Sequence, residues 1–318
     1  MPVDWLLKIQ TFAQISLAIF LEASPFLVLG SLLSACIEVL VDQDRLAAKI
    51  PKNPLLGVGI GLVAGMALPT CECGVVPIAR RLLSKGVPSH TAMTYMLSAP
   101  VINPVVLAST YIAFQGRLSV VVGRVLLVAL TAAITGYVLG RMAPNSLLSA
   151  VNNHHHDHGG CDCGHTHHDH CSVHSDNGIK APNKLARILT HTYNEFLDMG
   201  KYLLIGCFVA AAIKVVMPWG VAEVFKSNVF LSVGFMMALA VLLSVCSEAD
   251  AFVAASFVGF PVASQVAFMA IGPMVDLKLV GMYYHAFRNR VATILVIMPT
   301  VIVLIASLAA YVLLGGAG

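Results

Sequence analysis

Two cysteines and a glutamate lie next to one another at the end of an apolar stretch of this 318-residue chain. Cys71, Glu72 and Cys73 stand between Pro69 and Gly74, two residue types that interrupt helices. Thiolates bind soft ions such as copper(I) and zinc, and a helix break lets both sulfurs turn toward one ion. Free cysteine is also a common buried residue, so core packing is the alternative. We expect the three side chains to contact a soft metal ion or a thiophilic solute.

A related group occurs in the second half of the chain. Cys246, Glu248 and Asp250 follow a second apolar stretch, and an alignment of the halves sets Cys246 against Cys71 and Glu248 against Cys73. Transporters with internal repeats place their substrate site at the interface of the repeats. We therefore predict that both groups contribute to one site.

Two proline-containing segments are further candidates for this site. Ser98, Pro100 and Asn103 lie in the first half, and Asp276 follows Pro273 at the matching place in the second. Prolines in membrane helices free carbonyl groups that can coordinate a cation, although a structural kink is the simpler explanation. Asn103 and Asp276 form a matched pair of which only Asp276 can titrate.

Four acids are candidates for a proton relay: Glu22, Asp198, Glu248 and Asp276. Ionisable residues inside a membrane mark ion and proton pathways. Glu22 and Asp198 occupy matched positions in the first apolar segment of each half, where helix capping or an interfacial location are alternatives. Glu248 and Asp276 are the better candidates, because the alignment places them near the cysteines and the helix breaks.

A polar insert between the halves is rich in metal ligands. Imidazole and thiolate are the usual ligands of zinc and copper. The spacing fits no closed zinc finger, so we expect weak multivalent binding by a segment that is disordered without metal. The candidate ligands are His154, His155, His156, His158, Cys161, Cys163, His165, His167, His168, His170, Cys171 and His174.

The elements that position these residues are predicted to be membrane helices. The chain is 58% hydrophobic and 11% charged, against about 25% charged residues in soluble domains. A net charge of +3 indicates no nucleic-acid partner, and no phosphate-binding loop or hydrolase motif is present, so we predict that the protein is not an enzyme and uses no ATP. Apolar stretches approach membrane-spanning length at 15–41, 55–69, 118–139, 202–217, 229–245 and 291–314.

Matched landmarks in the same order predict a duplicated all-α membrane protein. Its parts are a first membrane repeat at 1–142, a His/Cys-rich loop at 143–190 and a second repeat at 191–318. We predict about eight transmembrane helices, some of them discontinuous, with the repeats either parallel or inverted. Gly61 and Gly65 are spaced for close helix packing.

Three segments carry a resemblance to the ArsP/YraQ-type predicted permeases: Cys71-Glu-Cys-Gly-Val-Val-Pro77, Gly86-Val-Pro88 and Ser98-Ala-Pro-Val-Ile-Asn-Pro104. That family includes efflux permeases for trivalent organoarsenicals, and the insert resembles the branch that exports copper or zinc. The resemblance implies an exporter of the bacterial inner membrane that uses Cys71, Cys73 and the broken-helix residues.

Three functions follow as hypotheses. The first is proton-driven efflux of copper or zinc, with no tightly bound cofactor and with membrane lipid and a possible second copy of the chain as partners. The second is efflux of a trivalent organoarsenical or another thiophilic small molecule, for which thiols matter more than histidines. The third is a membrane subunit that supplies metal to a partner protein.

Overall fold

A computed structural model describes residues 2–40, 51, 53–67, 70–142, 147–148, 184–216 and 228–313. These residues are almost entirely helical, and the β-structure among them is one isolated antiparallel bridge between Leu148 and Phe287. The prediction of an all-α fold is confirmed for this part of the chain. The insert, with all its candidate ligands from His154 to His174, lies outside the described residues.

In the described ranges, six helices belong to the first half and six to the second, and both series run in the same order: long, medium, three short, long. The first series is α1 (Pro2–Leu40), α2 (Pro54–Ala67), α3 (Glu72–Ser84), α4 (Ser89–Ser98), α5 (Pro104–Ala113) and α6 (Leu118–Leu139). The second is α7 (Lys184–Val216), α8 (Val229–Leu243), α9 (Asp250–Ser256), α10 (Val262–Ile271), α11 (Leu277–Ala286) and α12 (Asn289–Leu313).

The turns between the short helices use the same residues in both halves. Gly86 and Gly259 have φ values of 79° and 90°, a region that glycine enters without a steric cost. Each is followed by a proline, Pro88 or Pro261, at the N-cap of the next helix. The matched landmarks in the sequence therefore correspond to matched helix boundaries.

Three described helices are long and apolar enough to cross a membrane: α1 over Lys8–Cys36, α6, and α12 over Asn289–Val312. Helices α2, α5, α8 and α10 are apolar but shorter. A ten-residue helix is about 15 Å long, half of the roughly 30 Å hydrocarbon core. The architecture is that of a multi-pass membrane protein, whereas a total of eight crossings stays a prediction.

Glycines bring α4 close to the helices on either side of it. A Cβ atom added to Gly61 of α2 would lie 2.7 Å from the Thr91 carbonyl oxygen, and one added to Gly65 would lie 2.7 Å from Ser98 Oγ. On the other side, a Cβ on Gly136 of α6 would lie 3.1 Å from the His90 carbonyl oxygen. The predicted close packing through Gly61 and Gly65 is confirmed, and it fixes the short helix beside the candidate site.

Candidate functional site

Glu72 is the first residue of α3 and is 1% exposed. The chain reaches it in an extended conformation at Cys71, so the Cys71 and Cys73 side chains flank the start of the helix, and both are buried. A carboxylate in the first turn is stabilised by the helix dipole. An isolated buried charge is nevertheless costly, so the partners of Glu72 decide what this position can do.

Residues of the second half supply those partners. Lys278 Nζ lies 3.5 Å from Glu72 Oε1, and the Ser247 hydroxyl donates a hydrogen bond of 3.2 Å to Oε2. Cys246 Sγ is 4.0 Å from the same oxygen. Glu72 therefore joins the two halves inside the protein.

Lys278 is shared between two acids. Its Nζ is also 3.4 Å from Asp276 Oδ2, an oxygen that has no hydrogen-bond partner. The other oxygen, Asp276 Oδ1, accepts a hydrogen bond of 2.6 Å from Leu279 N and so caps α11. Lys278 and Asp276 are 2% and 0% exposed, which leaves both charges without bulk solvent.

Glu248 extends the group toward the surface. It is half-buried and accepts hydrogen bonds from Cys246 Sγ at 2.7 Å and from Ser247 Oγ at 3.4 Å. Cys73 follows Glu72 in the first turn of α3 and is 1% exposed. We call this group the Glu72 centre, and its members are Cys71, Glu72, Cys73, Cys246, Ser247, Glu248, Asp276 and Lys278.

A second buried ion pair also joins the halves, but here the base comes from the first half and the acid from the second. Asp250, the first residue of α9, receives two hydrogen bonds from Arg124 of α6, at 2.9 Å and 2.6 Å. Arg124 also donates to Thr110 Oγ1 at 2.8 Å. Both charged side chains are essentially unexposed, and the bidentate geometry satisfies both carboxylate oxygens.

The other predicted site residues of the first half occupy helix ends. Ser98 Oγ donates to the Tyr95 carbonyl oxygen at 3.4 Å, and Pro100 is buried in the turn that follows α4. Asn103 caps α5 by accepting 2.9 Å from Val106 N, as Asp276 caps α11. The observed contacts of Ser98 and Asn103 are local hydrogen bonds that end one helix and begin the next.

The two relay candidates of the long helices lie apart from the buried acids. The Asp198 side chain is 49% exposed and pairs with Lys201 at 3.5 Å, one turn along α7. The Glu22 side chain lies outside the described part of the structure, although its backbone belongs to α1. The structure therefore brings Glu248 and Asp276 to the Glu72 centre, and it does not bring Asp198 there.

Two glycines flank the Glu72 centre: Gly30 of α1 and Gly206 of α7, which lie eight residues after Glu22 and Asp198. Gly30 packs directly against the backbone of Gly74, the residue that follows Cys73. A Cβ added to Gly206 would lie 2.7 Å from Lys278 Cα and 3.2 Å from its Cγ. Both long helices therefore touch the segments that carry Glu72 and Lys278.

The predicted metal ligands of the Glu72 centre lie near one another but do not form a complete metal site. Cys71, Cys73 and Cys246 are free thiols. Within the described ranges, no group of three or more His, Cys, Asp or Glu side chains is arranged to hold a metal ion. In this conformation the centre presents thiols beside a carboxylate network, and a metal would need some of them to move.

Sequence reasoning missed the two bases, Lys278 and Arg124, and the hydroxyls of Ser247 and Thr110. Arg124 carried a usable signal, because it stands alone in an apolar run and a lone base in a membrane helix requires a buried partner, and Lys278 lies two residues after the candidate Asp276. The hydroxyls carried none, since Ser and Thr are common in membrane helices.

Comparison with known proteins agrees with this architecture. The family model ArsP_1, described as "Predicted permease", matches residues 8–312. UPF0718 protein YcgR of Bacillus subtilis is 41% identical over 92% of this chain and 95% of its own length. A "putative two-component membrane permease complex subunit" of Streptococcus mutans is 36% identical over 87% of each chain. No solved structure matches.

Proposed function

Because the chain belongs to the ArsP-type predicted permease family, we propose that it is a proton-coupled secondary transporter that exports a soft metal ion, copper or zinc. The observation that carries the proposal is the Glu72 centre, where free thiols and buried charges from both halves meet. Export is the direction that the family resemblance implies. Membership of a permease family supports transport, and the choice of a metal rests on the side chains alone.

Charge balance favours a cation. Glu72, Asp276 and Glu248 supply three carboxylates, and Lys278 supplies one ammonium group. With every group ionised, two negative charges remain uncompensated, which is costly in a buried site. Two protons or one divalent cation would balance them. The proposed cycle exchanges one for the other, so that the gradient of protons drives the metal outward.

Thiols provide the preference for soft solutes. Cys71 and Cys73 approach from the first half, and Cys246 approaches Glu72 from the second. We propose that a divalent metal ion binds sulfur from both halves and displaces the protons of two thiols, so that the exchange is one metal ion for two protons, while Lys278 withdraws from Glu72. The contacts of Lys278 are 3.4 Å and 3.5 Å, at the outer limit of hydrogen bonding, so they hold the ammonium group less tightly in one direction than short hydrogen bonds would.

A trivalent organoarsenical is the second candidate solute. The described residues lack a ready group of three metal ligands, whereas an arsenical needs only sulfur partners. An uncharged arsenical would leave the charge of the centre unchanged on binding. It would therefore show a weaker dependence on the pH gradient than a divalent metal.

A partner protein is a third possibility, which the Streptococcus relative favours because its name makes it a subunit of a two-component permease complex. If this chain also needs a second component, purified chain in vesicles will transport nothing, and co-expression with that component will restore transport.

The insert is proposed to collect metal for the membrane site, with its twelve His and Cys ligands as a weak store. Deletion of residues 154–174 should lower the number of zinc ions bound per purified chain, as measured by equilibrium dialysis. Transport should continue with a higher half-saturating concentration. Unchanged zinc binding after deletion would remove this role.

Sealed inverted vesicles test the transport proposal. Uptake of copper(I), zinc and trivalent methylarsenite would be measured with and without an imposed pH difference. Cys71→Ser and Cys73→Ser should each abolish uptake of the solute that the wild type moves, whereas Cys36→Ser, in the partly exposed part of α1, should not. Full uptake by the double variant Cys71→Ser/Cys73→Ser would overturn the thiol site.

A further inference from the structure

Two adjoining cavities lie at the contact between the halves, away from the Glu72 centre. The larger is about 630 Å³ and runs between α6, α10 and α12, with mainly apolar walls that include Leu126, Leu130 and Val266. The smaller is about 490 Å³ and lies beside the turn that joins α5 to α6. Arg117, Pro261 and Val262 line both, so the two cavities meet at these residues.

The lining carries charge of one sign. Among the residues that line the two cavities, Arg117 carries a charge and none is an acid. It stands at the N-cap of α6, and Pro261 stands at the N-cap of α10, so two helix N-termini also meet here. Both features favour an anion at the junction.

The apolar cavity contains one buried polar group without a partner. Ser307 of α12 is 3% exposed, lines the larger cavity, and its hydroxyl makes no hydrogen bond. A buried hydroxyl without a partner is costly, and a ligand that carries a carbonyl oxygen would satisfy it.

The dimensions match one membrane leaflet. From Arg117 to Leu130 the larger cavity follows α6 for roughly 20 Å, at about 1.5 Å per residue. One leaflet contributes about 15 Å of hydrocarbon. Because α6 is itself long enough to span the membrane, Arg117 stands at the level where phosphate groups lie.

We propose that these cavities bind one anionic phospholipid. Its phosphate contacts Arg117 at the junction, an ester carbonyl accepts a hydrogen bond from Ser307, and an acyl chain fills the apolar cavity. Since α6 belongs to the first half and α10 and α12 belong to the second, the lipid seals the contact between the halves. The inference is independent of the solute that the protein transports.

Native mass spectrometry and thermal unfolding of the purified full-length chain test the site. The detergent-solubilised protein would be stripped of lipid and titrated with phosphatidylglycerol, phosphatidylcholine or inorganic phosphate. We expect one phosphatidylglycerol retained per chain, a raised unfolding temperature, and no effect of inorganic phosphate. Arg117→Gln should weaken phosphatidylglycerol binding by about fivefold, the effect of one basic side chain at an anionic membrane surface. Arg141→Gln, at the other end of α6, should leave it unchanged.

Variants that fill the apolar cavity test the acyl-chain site separately from the phosphate site at Arg117. A Cβ on Gly123 would have its nearest neighbour, Val266 Cγ1, at 4.0 Å, and both residues line the larger cavity, so Gly123→Leu places a side chain in it without a backbone clash. It should abolish retention of both lipids, as should Ala310→Leu from α12, whereas Gly59→Leu on the open face of α2 should not. Equal binding of the two lipids by the wild type, or unchanged retention in both filled variants, would overturn the proposal. So would a wild-type particle with the mass of a dimer that a filled variant converts to a monomer without a change in bound lipid.

Discussion

Arg124 and Asp250 face each other through two short hydrogen bonds, whereas Lys278 stands between Glu72 and Asp276 at 3.5 Å and 3.4 Å. Both arrangements begin with an acid at the first position of a short helix, and both acids bind a base from the opposite half. The Arg124 pair is bidentate and satisfies both oxygens of Asp250, although Arg124 Nε makes no hydrogen bond. The Glu72 centre is looser, because it has more acids than bases and its base lies 3.4–3.5 Å from two different acids.

The difference in geometry suits the Arg124–Asp250 pair to a structural role and the Glu72 centre to the binding and release of ions. A planar guanidinium held by two hydrogen bonds is rigid, whereas an ammonium group at the end of a flexible stem can move between acceptors. We infer that Arg124 and Asp250 fix the relation of the halves while the Glu72 centre exchanges protons and solute.

The largest expected effect on stability comes from breaking the Arg124–Asp250 pair. Arg124→Met leaves Asp250 buried without a partner, which typically costs about 3–5 kcal/mol. Thermal unfolding of the purified protein should show this loss, and Arg124→Met/Asp250→Leu should recover most of it, because the buried charge is removed. Lys278→Met should also be destabilising, since it leaves Glu72 and Asp276 buried without their base. If Arg124→Met is as stable as wild type, the structural role of the pair is refuted.

An intermediate effect is expected where α7 meets Lys278. Gly206→Ala places a methyl group 2.7 Å from Lys278 Cα, and overpacking of this kind costs about 1–3 kcal/mol. Transport should fall with it, because Lys278 is displaced from Glu72. Gly200→Ala, earlier on α7 with no atom within 4 Å, is the control and should be neutral or slightly stabilising. Equal transport and stability in the two variants would show that the close approach is unimportant.

The smallest effect on stability, but not on function, is expected at Asp276. Because Asn caps a helix as well as Asp does, Asp276→Asn should change the free energy of unfolding by less than about 0.5 kcal/mol, whereas Asp276→Ala should lose about 1 kcal/mol. Asp276→Asn removes a charge beside Lys278 and should uncouple vesicle transport from the pH difference. Asn103→Asp is the reciprocal control, since Asn103 caps α5. Gradient-driven transport that persists in Asp276→Asn would exclude Asp276 as a proton carrier.

The sequence was sufficient for the helical membrane class and for the segments around Cys71 and Gly61, because composition and helix breakers are local signals. It could not supply the partners of Glu72, which come from more than 170 residues away. The alignment of the halves set Cys73 against Glu248, but the helix starts match Glu72 with Asp250, because α9 is shorter than α3. Burial likewise distinguishes Asp276 from Asp198, and the alignment of the halves had already made Asp276 the better relay candidate.

The most direct test of the account is transport by Glu72→Gln in proteoliposomes, compared with Glu195→Gln, which alters an acid that pairs with Arg81 at 3.8 Å outside the centre. The assay would use whichever of copper(I), zinc and trivalent methylarsenite the wild type moves. The account predicts that Glu72→Gln unfolds near the wild-type temperature yet transports nothing and ignores the pH gradient, while Glu195→Gln transports normally. Wild-type transport with an intact pH response in Glu72→Gln would contradict it.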